Sequence, residues 1–437
     1  MKRFFTTIKN IFSIEDLRVR ILNTMGFLII FRLGSFIVLP GIEPSALTGN
    51  QGGGMFDLFN TLLGGSFSRV SIFALGIMPY ISASIVVQLL TVAVPHFTKL
   101  QKEGDSGRKK LNQFTRVLTI VITAAQSYGY LRAIVNPEAI INPGLFFQVS
   151  SVIILVSGTM FCMWLGERIT DKGIGNGISM LIMIGIVSRF PTALYLEATG
   201  KGMSGALLFI IELLVLFFVV VGVIALTQAT RRIPVQYAKQ VVGNKLYGGK
   251  RDFIPLKLNS AGVMPIIFAQ ALMFIPPLMA GIWRNSDIGA YVGSTFADFT
   301  SWQYNLLFAI LILLFTFFYT AITVPSNDIA DNLKRNGGFI PGIKPGKQTA
   351  EFIDNILSKI TLPGALFLAA VAIMPAFAVR AGVTQNFAQF YGGTSLLILV
   401  GVVLDTLQQI ESYLLMRHYE GMMKSGRVKG RSQFAAA

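Results

Sequence analysis

Charge is what this sequence has least of. Only 13% of its 437 residues are charged while 53% are hydrophobic, against roughly 25% charged in an ordinary soluble domain. A chain this apolar cannot cover itself with a water-compatible surface. Its apolar residues also come in long runs rather than alternating faces, which points to lipid instead of a large buried core. Cysteine is nearly absent: Cys162 stands alone, so an internal disulfide framework and a cysteine-cluster metal site are excluded. Inside an apolar run it reads as a small packed side chain. The two histidines, His96 and His418, have no carboxylates at ligand spacing and make a poor metal site. Gly346-Lys347-Gln348-Thr349 imitates the end of a phosphate loop. However, Pro341 stands where that loop needs glycine, and Gln348 where it needs Ser or Thr. Gly173-Ile174-Gly175-Asn176-Gly177 lacks the dinucleotide spacing and reads as a turn. No nucleophile–base pair is supplied either, so the chain is not read as an enzyme and no cofactor is expected.

What is present is a series of apolar runs. Ten of them reach or approach the roughly 20 residues that span hydrocarbon: 21–39, 71–94, 117–134, 148–166, 177–196, 205–228, 262–283, 303–324, 361–379 and 391–414. With the N-terminal side taken as inside, 30 of the 37 Lys and Arg fall in inside segments. The positive-inside rule then puts both termini in the cytoplasm. Residues 1–20 set Phe4, Phe5, Ile8, Ile11 and Phe12 among basic residues and read as an interfacial segment rather than a cleaved signal. Residues 416–437 read as a cytoplasmic tail. The fold class expected is an all-α polytopic membrane protein.

Ten spans divide into two sets of five, 21–200 and 201–415, which would be inverted in the membrane. The second span of each set opens alike, with Gly76-Ile77-Met78-Pro79 and Gly262-Val263-Met264-Pro265. Pro79, Pro265, Pro276 and Pro277 are expected to bend or interrupt these helices. Residues 55–69, bounded by glycines at 49, 52–54 and 64–65, are too short to span and too apolar for an ordinary loop. They read as a short re-entrant helix, with a helix on the outer interface as the alternative.

Ionisable groups within spans are scarce. Glu212 is near a span start, Asp405 and Glu411 lie on the last span, and Arg32 is close enough to the outer end to snorkel. Asp405, the deepest, is expected to hydrogen-bond between helices, with a functional acid as the alternative. Isolated amides, Gln88, Gln126 and Asn259, are expected to pair between helices. Such pairs are weak enough to break and re-form in a seam that opens. Two inside segments, 229–260 and 325–360, are long. The first carries Arg231, Arg232, Lys239, Lys245, Lys250, Arg251 and Lys257 against one acid, Asp252. Topology and acidic lipid account for part of this charge. Insertions of this length also imply that something anionic docks there.

Several stretches are specific. Residues 71–81 (Ser71-Ile72-Phe73-Ala74-Leu75-Gly76-Ile77-Met78-Pro79-Tyr80-Ile81) resemble the second-helix signature of the SecY family, the central subunits of the Sec protein translocon. Lys102-Glu103-Gly104, Gly173 to Gly177, Arg231-Arg232-Ile233-Pro234, Phe339-Ile340-Pro341-Gly342-Ile343 and Gly392 to Ile398 are similar in the same order along nearly the whole chain.

The resemblance implies an hourglass channel in the cytoplasmic membrane, its waist ringed by Ile77, Ile81, Ile182, Ile267 and Ile398. It implies a plug over 55–69, with Phe56, Phe59, Asn60, Gly64 and Gly65. It also implies a lateral gate between the broken second and seventh helices, with Gln88, Gln126 and Asn259 as its polar contacts. Signal sequences would wedge into that gate and reach membrane lipid, while unfolded precursor polypeptides pass through the waist. Arg231, Arg232, Lys239, Lys245, Lys250, Arg251, Lys334, Arg335 and Lys344 would dock the ribosome or the SecA ATPase, and SecE and SecG would complete the assembly. Lys344 stands where the family usually has Arg, keeping the charge but losing the fork of donors. The alternative is a secondary transporter of a small solute, which would need a charged or polar central site.

Overall fold

The computed structural model describes residues 12, 14–45, 60–133, 139–202, 205–237, 239–242, 245–248, 251–273, 287, 291–292, 295–296 and 298–424. The chain packs as two compact units. One is drawn from Met1–Gly52, Phe56–Arg189 and Val402–Ala437, the other from Gly53–Met55 and Phe190–Gly401.

Helices dominate. In the first unit α1 (Glu15–Gly34), α2 (Met78–Ala93), α3 (Pro95–Lys102), α4 (Asp105–Ala133) and α5 (Leu145–Lys172) are followed by α6 (Gly177–Lys201), whose last turns belong to the second unit. The second unit holds α7 (Ala206–Gln228), α8 (Met264–Leu272), α9 (Trp302–Thr323), α10 (Ser326–Arg335), α11 (Lys347–Arg380) and α12 (Gln385–Ala388). The last helix, α13 (Gly393–Lys424), starts in the second unit and runs into the first. Six helices among the described residues are long and apolar enough to cross a membrane, or seven if the bent pair α2–α3 is one span.

The apolar runs and the helices differ in instructive ways. The run at 71–94 was expected to be bent or interrupted at Pro79; instead the helix starts there, with Ser71 bridged to Val38, 72–77 in turns and bends, and Pro79 in the first turn of α2. Gly76 lies at φ +50°, a conformation that closes the turn and is open to glycine. At the other end Val94 is extended and Pro95 opens α3, so the two helices meet at 99°. Proline disfavours helical backbone in the residue before it, which places the break there. The run at 117–134 is the second half of a longer helix, because the basic segment before it folds into the first turns of α4. Likewise α11 starts fourteen residues before the apolar run at 361–379. Charged residues continue a helix as readily as apolar ones once it has left the hydrocarbon. Of the seventh run, α8 ends at Leu272, and 274–286, with Pro276 and Pro277, lie outside the described residues.

Small residues let the first unit's helices approach. A Cβ on Gly158 would stand 2.3 Å from the Ile72 carbonyl oxygen, and one on Gly177 1.9 Å from that of Gly166. The turn at 173–177 is pinned on several sides. Arg20 Nη1 donates to Gly173 O (3.1 Å), Ile174 N–H to Thr24 Oγ1 (3.0 Å) and Gly175 N–H to Gln409 Oε1 (2.8 Å). Asn176 Oδ1 accepts from the Ile178 and Ser179 amides and so caps the start of α6.

The second unit contains strands that the all-helical reading did not include. β1 (Thr230–Tyr237) pairs antiparallel with β4 (Arg251–Lys257), and β5 (Gly338–Phe339) pairs with β1 at Gln236 and Tyr237. A separate hairpin joins β2 (Lys239–Val242) to β3 (Lys245–Gly248). Proline at 234 is tolerated because β5 reaches only the end of β1, leaving that side unpaired at Pro234. One core, Ile233, Val235, Leu256, Leu333, Ile340, Ile353 and Leu357, lies under the sheet, α10 and the start of α11. The strands β1 and β4 of the basic segment 229–260 and the described part of the mixed-charge segment 325–360 are therefore one folded body. Ile353→Ala at its centre is expected to cost about 2–5 kcal/mol. Amide exchange across 230–237 and 251–257 should speed up while that of α9 stays unchanged.

Candidate functional site

The first unit carries the start of the proposed plug-to-α2 passage. Asn60 to Leu62 are helical and 63–70 are turns, so the helix expected over 55–69 ends by Leu62. Phe56 and Phe59 lie outside the described residues. Gly64 (φ +64°) and Gly65 (φ +86°) form the turn, and the chain from Phe67 to Ile72 is tightly held. Leu39 N–H donates to Val70 O and Ile72 N–H to Ile37 O, both at 2.9 Å. Tyr130 Oη donates to Phe67 O at 2.6 Å. Val70 is buried at φ +47°. A β-branched residue there is strained by about 1–3 kcal/mol and persists only when its surroundings over-determine it.

Two arginines close on the glycine turn. Arg32, near the end of α1, donates through Nη1 to Gly64 O at 2.8 Å. Arg69 donates to Gly65 O through Nε and to Gly64 O through Nη2, each at 3.1 Å. Both guanidiniums lie over the Phe36 ring, at 4.8 and 4.3 Å from its centroid. Burial lowers the pKa of Arg69 from its ordinary value, although an arginine keeps its proton. Sequence reasoning missed this arrangement because carbonyl acceptors leave no trace in residue identity.

Of the five isoleucines, Ile77, Ile81, Ile182 and Ile398 are buried and Ile267 is half-buried. In the first unit Ile77 is the N-cap of α2 and Ile81 lies one turn into it, its N–H donating to Ile77 O. Ile182 lies on α6, Ile267 on α8 and Ile398 near the start of α13. The two openings Gly76 to Pro79 and Gly262 to Pro265 take the same local form. Each glycine has positive φ (+50° and +63°), and each helix starts at the methionine with proline second. Proline suits a first turn, where its missing N–H is not needed.

The amides do not pair as expected. Gln88 Nε2 donates at 3.5 Å to Ser84 Oγ of its own helix. Gln126 is exposed and bonds no described residue. Asn259 is buried with its Oδ1 unpartnered among the described residues. Asp405 is exposed and also bonds none of them.

Arg231, Arg232, Arg251, Lys334, Arg335 and Lys344 are all exposed, on or beside the one body formed by β1, β4 and α10. Lys239 lies on β2 and Lys245 on β3, while Lys250 lies outside the described residues. Beside this body, Ala229, Thr230, Arg231, Leu258, Ile356, Lys359 and Ile360 line a recess of about 420 Å³.

Comparison with known proteins fits this frame. The SecY family profile matches residues 71–407. The protein translocase subunit SecY of Halalkalibacterium halodurans is 45% identical, over 96% of this chain and 100% of its own length. That of Escherichia coli is 42% identical over 96% of each chain. Among solved structures, a protein-conducting channel aligns with a TM-score of 0.61 at 15% identity, covering 90% of this chain and 92% of its own. Sec61 in a canine ribosome–channel complex aligns with a TM-score of 0.57 at 14% identity, covering 90% and 92%. The structural likeness establishes the fold, and the near full-length identity to the bacterial subunits establishes descent. This chain belongs to the SecY family.

Proposed function

We propose that this protein is the protein-conducting subunit of a membrane translocase, carrying secretory polypeptides across and releasing membrane segments sideways into lipid. The observation that carries the reading is full-length similarity to translocase subunits, at 42–45% identity with no large segment left unmatched. The small-solute transporter alternative finds no support in that relationship.

The finer reading comes from the family. Ten spans in two inverted halves, with both termini in the cytoplasm, would sit in the cytoplasmic membrane. The repeated glycine–methionine–proline openings of α2 and α8 support the repeat. Ile77, Ile81, Ile182, Ile267 and Ile398 would ring the waist, because an apolar constriction dewets and resists ions yet yields to a moving chain. The segment around Asn60, Gly64 and Gly65 would close the outer funnel, its end held by Arg32 and Arg69. Gln88, Gln126 and Asn259 would line the lateral gate; the unpartnered Oδ1 of buried Asn259 suits a contact made in another state. The exposed basic residues on the β1–β4–α10 body favour an anionic partner, which the family makes the ribosome or the SecA ATPase. SecE and SecG would complete the complex.

A photo-crosslinker at position 77, and separately at 267, tests the pathway with a stalled precursor, SecA and ATP. Crosslinks from both sites to the middle of the precursor are expected. Crosslinks only to lipid or to neighbouring helices, with the precursor engaged, would place the pathway elsewhere.

A further inference from the structure

Glu197, near the end of α6, is fully buried. Its Oε2 accepts from the Thr384 backbone N–H at 3.0 Å and from the Thr384 hydroxyl. Its Oε1 lies 3.0 Å from Lys201 Nζ, one turn further along, and Lys201 also pairs with Glu212 on α7. Three elements of the second unit meet here: the end of α6, the first turns of α7, and the 381–392 connection from α11 to α13. A carboxylate taken fully out of solvent is strongly unfavourable unless donors are already seated around it. The arrangement therefore fixes Thr384 as much as Thr384 satisfies the carboxylate.

The chain downstream of Thr384 has no slack. Every residue from Phe387 to Ile398 is buried. Phe190 of α6 packs on Phe387 and Phe390, with ring centroids at 6.4 and 5.1 Å. Gly392 sits so close to α11 that a Cβ would stand 2.2 Å from the Val371 carbonyl oxygen, and Gly393 opens α13 at φ +63°. Ile398 comes less than two turns later. Close packing passes a displacement along instead of absorbing it.

We propose that Glu197 is a positioning residue for the constriction: by holding Thr384 it sets where α13 begins, and so where Ile398 stands. The inference rests on Ile398 being a member of the waist ring. Thr384→Val exchanges a donor for a methyl of similar volume, and Glu197→Gln keeps an acceptor oxygen but removes the charge. Each variant is reconstituted with its partner subunits into vesicles. Resting ion conductance is expected to rise at least about 5-fold, the effect of a modest coupling between sites. Translocation of a precursor lacking its signal segment should rise relative to the intact precursor. A contact that only stabilises the fold predicts the opposite: both precursors fall together, melting drops and the leak is unchanged. That result, or wild-type behaviour in both variants, overturns the proposal. Should Glu197→Gln fail to accumulate, Thr384→Val decides alone. A wild-type protein that passes no precursor would instead overturn the channel reading, and this inference with it.

Discussion

Replacing Ile77 and Ile267 together by asparagine is expected to raise the resting ion conductance of the reconstituted channel by more than tenfold. Ile77 is buried and Ile267 half-buried, and both are aliphatic, so a ring built from them offers water no hydrogen bonds. A constriction of that kind empties, and ions meet the barrier of an unhydrated passage. Each amide supplies a partner for water worth a net of roughly 1 kcal/mol. Two amides shift the wet–dry balance by about 2 kcal/mol, beyond the roughly 1.4 kcal/mol that corresponds to a factor of ten. Single-channel recording on the double variant, at matched insertion, is the measurement. Conductance at the wild-type level would remove both residues from the waist.

A large stability effect is expected at Gly158. Its α-carbon faces the Ile72 carbonyl so closely that a Cβ would stand 2.3 Å from the oxygen. The obstacle is backbone, which cannot rotate aside as a side chain would. Gly158→Val should cost at least about 3 kcal/mol, because either α5 or the turn at 71–77 must move. The contrast is Gly129 on α4, where nothing lies within 4 Å of the added Cβ. Gly129→Ala should be stabilising by up to about 1 kcal/mol through helix propensity. Thermal unfolding in detergent compares the two. Equal melting for Gly158→Val and wild type would mean that α5 and residue 72 are not in contact.

Much of the architecture could be read from one dimension. The apolar runs found helices in the right order, and the turn at 173–177 and the buried Cys162 are as expected. The family was legible from residues 71–81 onward. Helix ends were less so, since α4 and α11 continue through charged residues where hydropathy stops signalling. The strands were hidden as well. The burial alternation of β1, with Ile233 and Val235 inward, is short and interrupted by Pro234.

The sites divided along the same line. Ile77, Ile81, Ile182, Ile267 and Ile398 could be chosen only through the family, because an isoleucine in a pore and one in lipid look alike in sequence. Gln88 bonds within its own helix, where pairing between helices was expected. Arg32 finds a carbonyl 32 residues away, and Glu197 finds a threonine 187 residues away.

Composition and the lengths of apolar runs by themselves determined that this is a helical membrane protein, because transfer into lipid is a sum over neighbouring residues. Only tertiary structure decided which polar group satisfies which. A buried charge takes its partner from whatever the fold brings within hydrogen-bond distance, and that proximity is not written in the spacing along the chain.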